Sequence, residues 1–153
     1  MNIRLLFACA ALAAPPAHAH VTLEQTSASA GAYQKLTFRA GHGCKGSPTH
    51  TLTVNLPDGF NGAKPMPKTG WAVSSTANQV TWKGGPLLDA HYDEFIMQVK
   101  LPASVGRHYF KVTQLCDEGR MDWDAIADAS GAKLASPAPF IEITPAAAGA
   151  PHH

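Results

Sequence analysis

From residue 20 onward, glycine and proline cut the chain into short runs of alternating or β-branched residues, and that punctuation leaves room for little but strands. Residues 21–23, 33–39, 51–56, 71–74, 79–83, 94–101, 107–116 and 140–143 each read as a strand. Turn signals fall between them at 43–46 (Gly-Cys-Lys-Gly), 57–59 (Pro-Asp-Gly), 83–86 (Lys-Gly-Gly-Pro) and 102–106. About 7–9 short strands in a stretch of this length form the pattern of an antiparallel β-sandwich, so the expected fold class is all-β. Only residues 123–129 carry mild helical character.

Side chains alternate across a strand, so spacing picks out the inward rows. Leu36 and Phe38 form one, shared with Tyr33 or Ala40; Leu52, Val54 and Leu56 form a second. Phe95, Met97, Val99 and Leu101 form a third, with Ile96 and Gln98 on the opposite face, and Phe110, Val112 and Leu115 a fourth. Trp71 and Trp82 read as core or sheet-face residues. A hydrophobic content of 45% is ordinary for a packed domain, and the sequence holds no internal repeat.

The ends read differently. Residues 1–4 supply one positive charge, 5–14 are apolar, Pro15-Pro16 break the run, and Ala17-His18-Ala19 present the small residues of a cleavage site. Residues 1–19 are therefore expected to be a secretory signal peptide, its apolar run too short for the roughly 20 residues a membrane span needs. The expected organisation is one domain over 20–144, no membrane insertion, and a low-complexity tail at 145–153. Only Arg4 among the charged residues leaves with the leader, so 12 Lys+Arg against 11 Asp+Glu becomes an even balance. A nucleic-acid binder would show a basic stripe, and none is present. Cys9 departs as well. Cys44 and Cys116 remain, read as a disulfide in an oxidising compartment, the alternative being a pair of thiolate metal ligands.

Removal of the leader makes His20 the first residue. Its amine, with a reference pKa of roughly 8, and its own imidazole would close one chelate ring on a metal. Nitrogen donors of this kind suit Cu(II), and the 21–23 strand behind His20 pins it to a sheet. The segment 114–124 adds carboxylates, the Met121 thioether and the Trp123 indole just after a strand. It reads either as a solvated acidic turn or as the rest of a metal site, with the indole shielding the metal.

At this point the chain resembles a known family. His20-Val21-Thr22-Leu23, the stretch 33–39 (Tyr-Gln-Lys-Leu-Thr-Phe-Arg), 41–49 (Gly-His-Gly-Cys-Lys-Gly-Ser-Pro-Thr), 64–71 ending in Trp71, 91–95 (His-Tyr-Asp-Glu-Phe), and Gln114-x-Cys116-x-x-Gly119 running into Trp123 are similar to the YcnI-like copper-binding domain family. The resemblance covers nearly all of residues 20–144. It implies an immunoglobulin- or cupredoxin-like β-sandwich holding Cu(II) in a single-histidine brace, with an added carboxylate oxygen and a tryptophan alongside. His20 and Trp123 match that pattern. The family's carboxylate, two residues before the tryptophan, is Met121 here, and Asp122 is the nearest substitute. In a regular strand Asp122 points away from the face shared by Met121 and Trp123 unless a bulge re-aims it, so the third donor stays open between Asp122 and Met121, the latter favouring Cu(I).

His42 and His91 are candidates for a second metal site or for structural roles, while His50 and His108 read as surface positions. His152-His153 are a weak metal-binding pair at most, and Met66 belongs to a packing loop. The expected function is a periplasmic copper-binding protein in copper acquisition, delivery or homeostasis, not an enzyme. Its expected partners are the copper ion and an inner-membrane copper transporter or another periplasmic copper chaperone. The alternatives are a copper-dependent oxidative enzyme, whose brace would need a second histidine, and an exported interaction module with incidental metal binding.

Overall fold

Which strands stack face to face is decided by where the apolar rows fall. The computed structural model describes residues 20–128 and 133–146. The expected leader, 1–19, lies outside the described residues, as do His152-His153 and all of the tail after residue 146. One sheet has the order β1-β3-β8-β5, made of β1 (Thr22–Leu23), β3 (Tyr33–Ala40), β8 (Asp93–Lys100) and β5 (Asn61–Pro65). A second has the order β11-β10-β4-β7-β6, made of β11 (Arg120–Trp123), β10 (Lys111–Cys116), β4 (Thr49–Asn55), β7 (Gln79–Leu87) and β6 (Trp71–Ser75). A third, smaller sheet joins β2 (Ser27–Ser29), β12 (Phe140–Thr144) and β9 (Gly106–Tyr109), with β2 and β12 parallel. No described residue is helical, and the architecture is a β-sandwich, as the strand pattern predicts, of the immunoglobulin-like kind that the resemblance implies.

The core lies between the first two sheets. Leu36, Phe38 and Ala40 of β3 and Phe95, Met97 and Val99 of β8 are buried against Leu52 and Val54 of β4, Val80 and Trp82 of β7, and Val112 of β10. Ile141 and Ile143 bring the third sheet into the same cluster. Phe38 and Phe60 both meet Phe110 edge-on at 5.2 Å, an arrangement that adds about 1 kcal/mol per pair beyond simple burial. Reading inward rows from alternation therefore holds for most of the core, with one correction. Gln114 is buried and Leu115 is not, because the alternation of β10 continues unbroken through the polar residue.

Other expectations also need correction. The run 107–116 is two strands in different sheets, β9 and β10, parted at Phe110, whose N–H bonds Pro139 O instead of a neighbouring ladder. The 83–86 signal is not a turn: β7 passes through it. A Cβ at Gly84 would lie 2.2 Å from Gly70 O, and one at Gly85 would lie 2.6 Å from the Trp71 ring, so these glycines permit the close approach of the chain beside β6. Residues 123–128 form no helix; Trp123 closes β11 and Ala125 bridges Pro137. Strands β2, β5 and β11 escape the pattern because they are short, polar or proline-bearing, and only tertiary pairing makes them extended.

Candidate metal centre

The sequence singles out His20, and the structure sets it beside Trp123, the ring centroids 5.7 Å apart and tilted by 50°. Each arrives from a different sheet. His20 immediately precedes Val21 and β1, which pairs with β3 through Thr22↔Arg39 and Leu23↔Phe38. Trp123 ends β11 and pairs with Val112 of β10. The indole is almost wholly buried, so its N–H needs an acceptor, and Gln114 Oε1 provides it at 3.1 Å.

Gln114 is the hub of this end of the molecule. Its Nε2 donates to the backbone oxygen of His42 at 2.7 Å and to Thr49 Oγ1 at 2.6 Å. Both amide protons and the carbonyl are thereby used, as a buried amide requires. His42 also lies on Trp123, with ring centroids 6.5 Å apart in an edge-on contact, so one indole carries an imidazole contact from His20 and another from His42. The composition pattern missed this role for Gln114; its place on an inward-facing row of β10 was the available signal.

Two residues beyond His42, Cys44 is joined to Cys116 across the β10 end, with the Cα atoms 6.0 Å apart. The disulfide reading of the cysteines holds, and thiolate ligation does not. Between Cys44 and Ser47 the chain reverses through Lys45 and Gly46, both at positive φ (52° and 94°), closed by paired hydrogen bonds between Cys44 and Ser47. Met121 lines an open depression against this turn, along with Glu118 and Arg120, and lies on the Trp123 face of β11, partly packed on the core.

Asp122 lies on the other face. The β10–β11 register runs without a bulge, pairing Thr113 with Asp122. The carboxylate accepts from Thr113 Oγ1 at 2.9 Å and from Arg120 Nη2 at 2.7 Å and Nε at 2.8 Å. The Arg120 hydrogen bonds, more than any other contact, hold its carboxyl below the usual carboxylate range. The oxygen donor implied by the resemblance is therefore directed away from the indole that His20 and His42 touch.

The remaining histidines are dispersed. His91 is exposed in the segment after β7, its N–H on Leu88 O. His50 bonds Thr51 Oγ1, and His108 bonds Ser104 O and packs on Phe60. Met66 is half exposed in its loop, with its N–H on Ile96 O. Among the described residues no three His, Cys, Asp or Glu side chains gather closely enough to hold a metal ion. A new amino terminus at His20 would add to this end a nitrogen donor that is not a side chain. His20 also borders a small apolar groove of about 250 Å³ with Leu23, Pro137 and Phe140. Among the described residues no helix is long and apolar enough to cross a membrane.

A family model described as a domain of unknown function (DUF1775) matches residues 20–79 and 72–143. Among solved structures, an uncharacterized protein from Nocardia farcinica with an immunoglobulin-like fold superposes with a TM-score of 0.73 at 25% identity, over 81% of this chain and 97% of that one. The seventh ScaB type I cohesin from Pseudobacteroides cellulosolvens superposes with a TM-score of 0.52 at 10% identity, over 88% of this chain and 97% of that one. The cohesin likeness concerns the fold alone. No curated protein matches.

Proposed function

This chain belongs to the DUF1775 family, and from that premise we propose that it is an exported copper-binding protein, of the YcnI-like kind, that takes up Cu(II) at His20 once residues 1–19 are removed. The observation that carries the reading is the contact of His20 with the Gln114-anchored indole of Trp123. An amine and imidazole from one residue form a two-nitrogen chelate suited to Cu(II), and the indole excludes water from one side of it. The family match itself begins at residue 20, which supports a domain boundary there. Copper is cargo in this reading, acquired or passed on in the periplasm to an inner-membrane transporter or another copper chaperone, and the protein is not an enzyme.

The reading concerns the chain that begins at His20, so the mature form is the molecule to test. Titration of mature protein with Cu(II) is expected to show one tight site, lost in His20→Ala and in a form carrying one extra glycine ahead of His20. Unchanged stoichiometry and affinity in either form would refute the proposal. A second reading, a copper-dependent oxidative enzyme, draws support from one observation, the second imidazole on the same indole. Peroxide- or oxygen-dependent turnover by the copper-loaded protein would favour it.

A further inference from the structure

We infer, building on the copper reading above, that His42 supplies a second imidazole to the His20 centre and that Asp89 positions it. His42 is fixed to the same frame as the indole, since one side chain, Gln114, holds both the His42 backbone oxygen and the Trp123 N–H. The ring is oriented as well. His42 Nδ1 bonds Gly43 O, and a carbonyl only accepts, so the neutral ring carries its proton on Nδ1 and keeps the lone pair of Nε2 for a metal.

Asp89 lies on the Nδ1 side of the ring, with Oδ1 3.9 Å from that nitrogen. This oxygen is buried and has no hydrogen-bond partner among the described residues, although the rest of the side chain reaches solvent. A buried carboxylate oxygen without a donor is costly. Positive charge on the His42 ring, which metal ligation at Nε2 delivers, offsets that cost in the manner of a carboxylate–histidine–metal arrangement. Gly43 makes the approach possible: a Cβ there would sit 1.9 Å from Ser47 O and 3.2 Å from Asp89 Oδ1.

The test uses copper-loaded mature protein, read by EPR nitrogen couplings and by competition for Cu(II). Pulsed EPR of the wild type is expected to count two imidazoles, a measurement that does not depend on how any variant folds; a single imidazole overturns the inference. His42→Ala and His42→Gln are each expected to remove one imidazole and weaken Cu(II) affinity by more than about tenfold. Asp89→Asn is expected to weaken it by about tenfold and shift the EPR parameters while retaining both imidazoles, with recovery in Asp89→Glu. Unaltered spectra and affinity in the His42 variants, with binding still abolished in His20→Ala, overturn the role of His42 and leave the copper reading standing. Binding that survives His20→Ala overturns both. An Asp89→Asn protein identical to wild type in spectrum and affinity removes Asp89 from its positioning role.

Discussion

At the scale of single residues, two neighbouring positions behave in opposite ways because a strand has two faces. Gln114 faces inward and satisfies an indole, a backbone carbonyl and a hydroxyl together. Gln114→Leu keeps the volume and strands those partners, so a loss of about 1–3 kcal/mol is expected from denaturant unfolding, together with weaker Cu(II) binding. A change inside 0.5 kcal/mol, on the order of what an ordinary surface substitution does, would remove Gln114 from the centre of this end. Asp122 faces outward, where its carboxyl is held low chiefly by Arg120. A depressed carboxyl stabilises the fold above its unfolded pKa of about 4, and that contribution disappears as pH falls through the lower folded value. Asp122→Asn is therefore expected to melt slightly below wild type at pH 7, the gap closing on acidification below about pH 4, with Cu(II) affinity unchanged. A clear drop in affinity would return the carboxylate to the metal.

At the scale of elements, the Cys44–Cys116 bond ties the turn after His42 to the end of β10, the strand that carries Gln114. It closes a separation of 72 residues, for which the chain-entropy account gives about 4 kcal/mol. A Cys44→Ala, Cys116→Ala double variant is expected to lose stability of that order and to bind Cu(II) more weakly, as measured by denaturant midpoint and competition. Equal stability to the oxidised wild type would contradict this. Long elements were legible in the sequence: the rows through Leu36, Leu52 and Phe95 each repeat at a period of two over enough residues to mark a face. Strands β5 and β11 were not, because a stretch such as Asn61–Pro65 has no apolar period and becomes extended only by pairing with β8. The parting of β9 from β10 at Phe110 was hidden for a related reason, since alternation continues across it while the chain changes sheets.

At the scale of the whole molecule, His20 and Trp123 were legible separately, one from a cleavage pattern and one from a motif, but their meeting was not. They are far apart in the chain and meet because β1 and β11 are edge strands of two facing sheets. The contact of His42 with Trp123 was hidden for the same reason: nothing local in Gly41-His42-Gly43 says that an indole from the opposite sheet lies beside it. The disulfide has a consequence at this scale. On the proposed reading, two covalent events prepare this end of the molecule: a peptide bond is cut to expose an amine, and two thiols are oxidised to fix the turn behind His42. A reducing cytoplasm with the leader still attached supplies neither. The nascent chain would then pass through the cell's interior without competing for its copper, and capture would begin only where both events coincide, so the covalent history of the polypeptide acts as a record of its address.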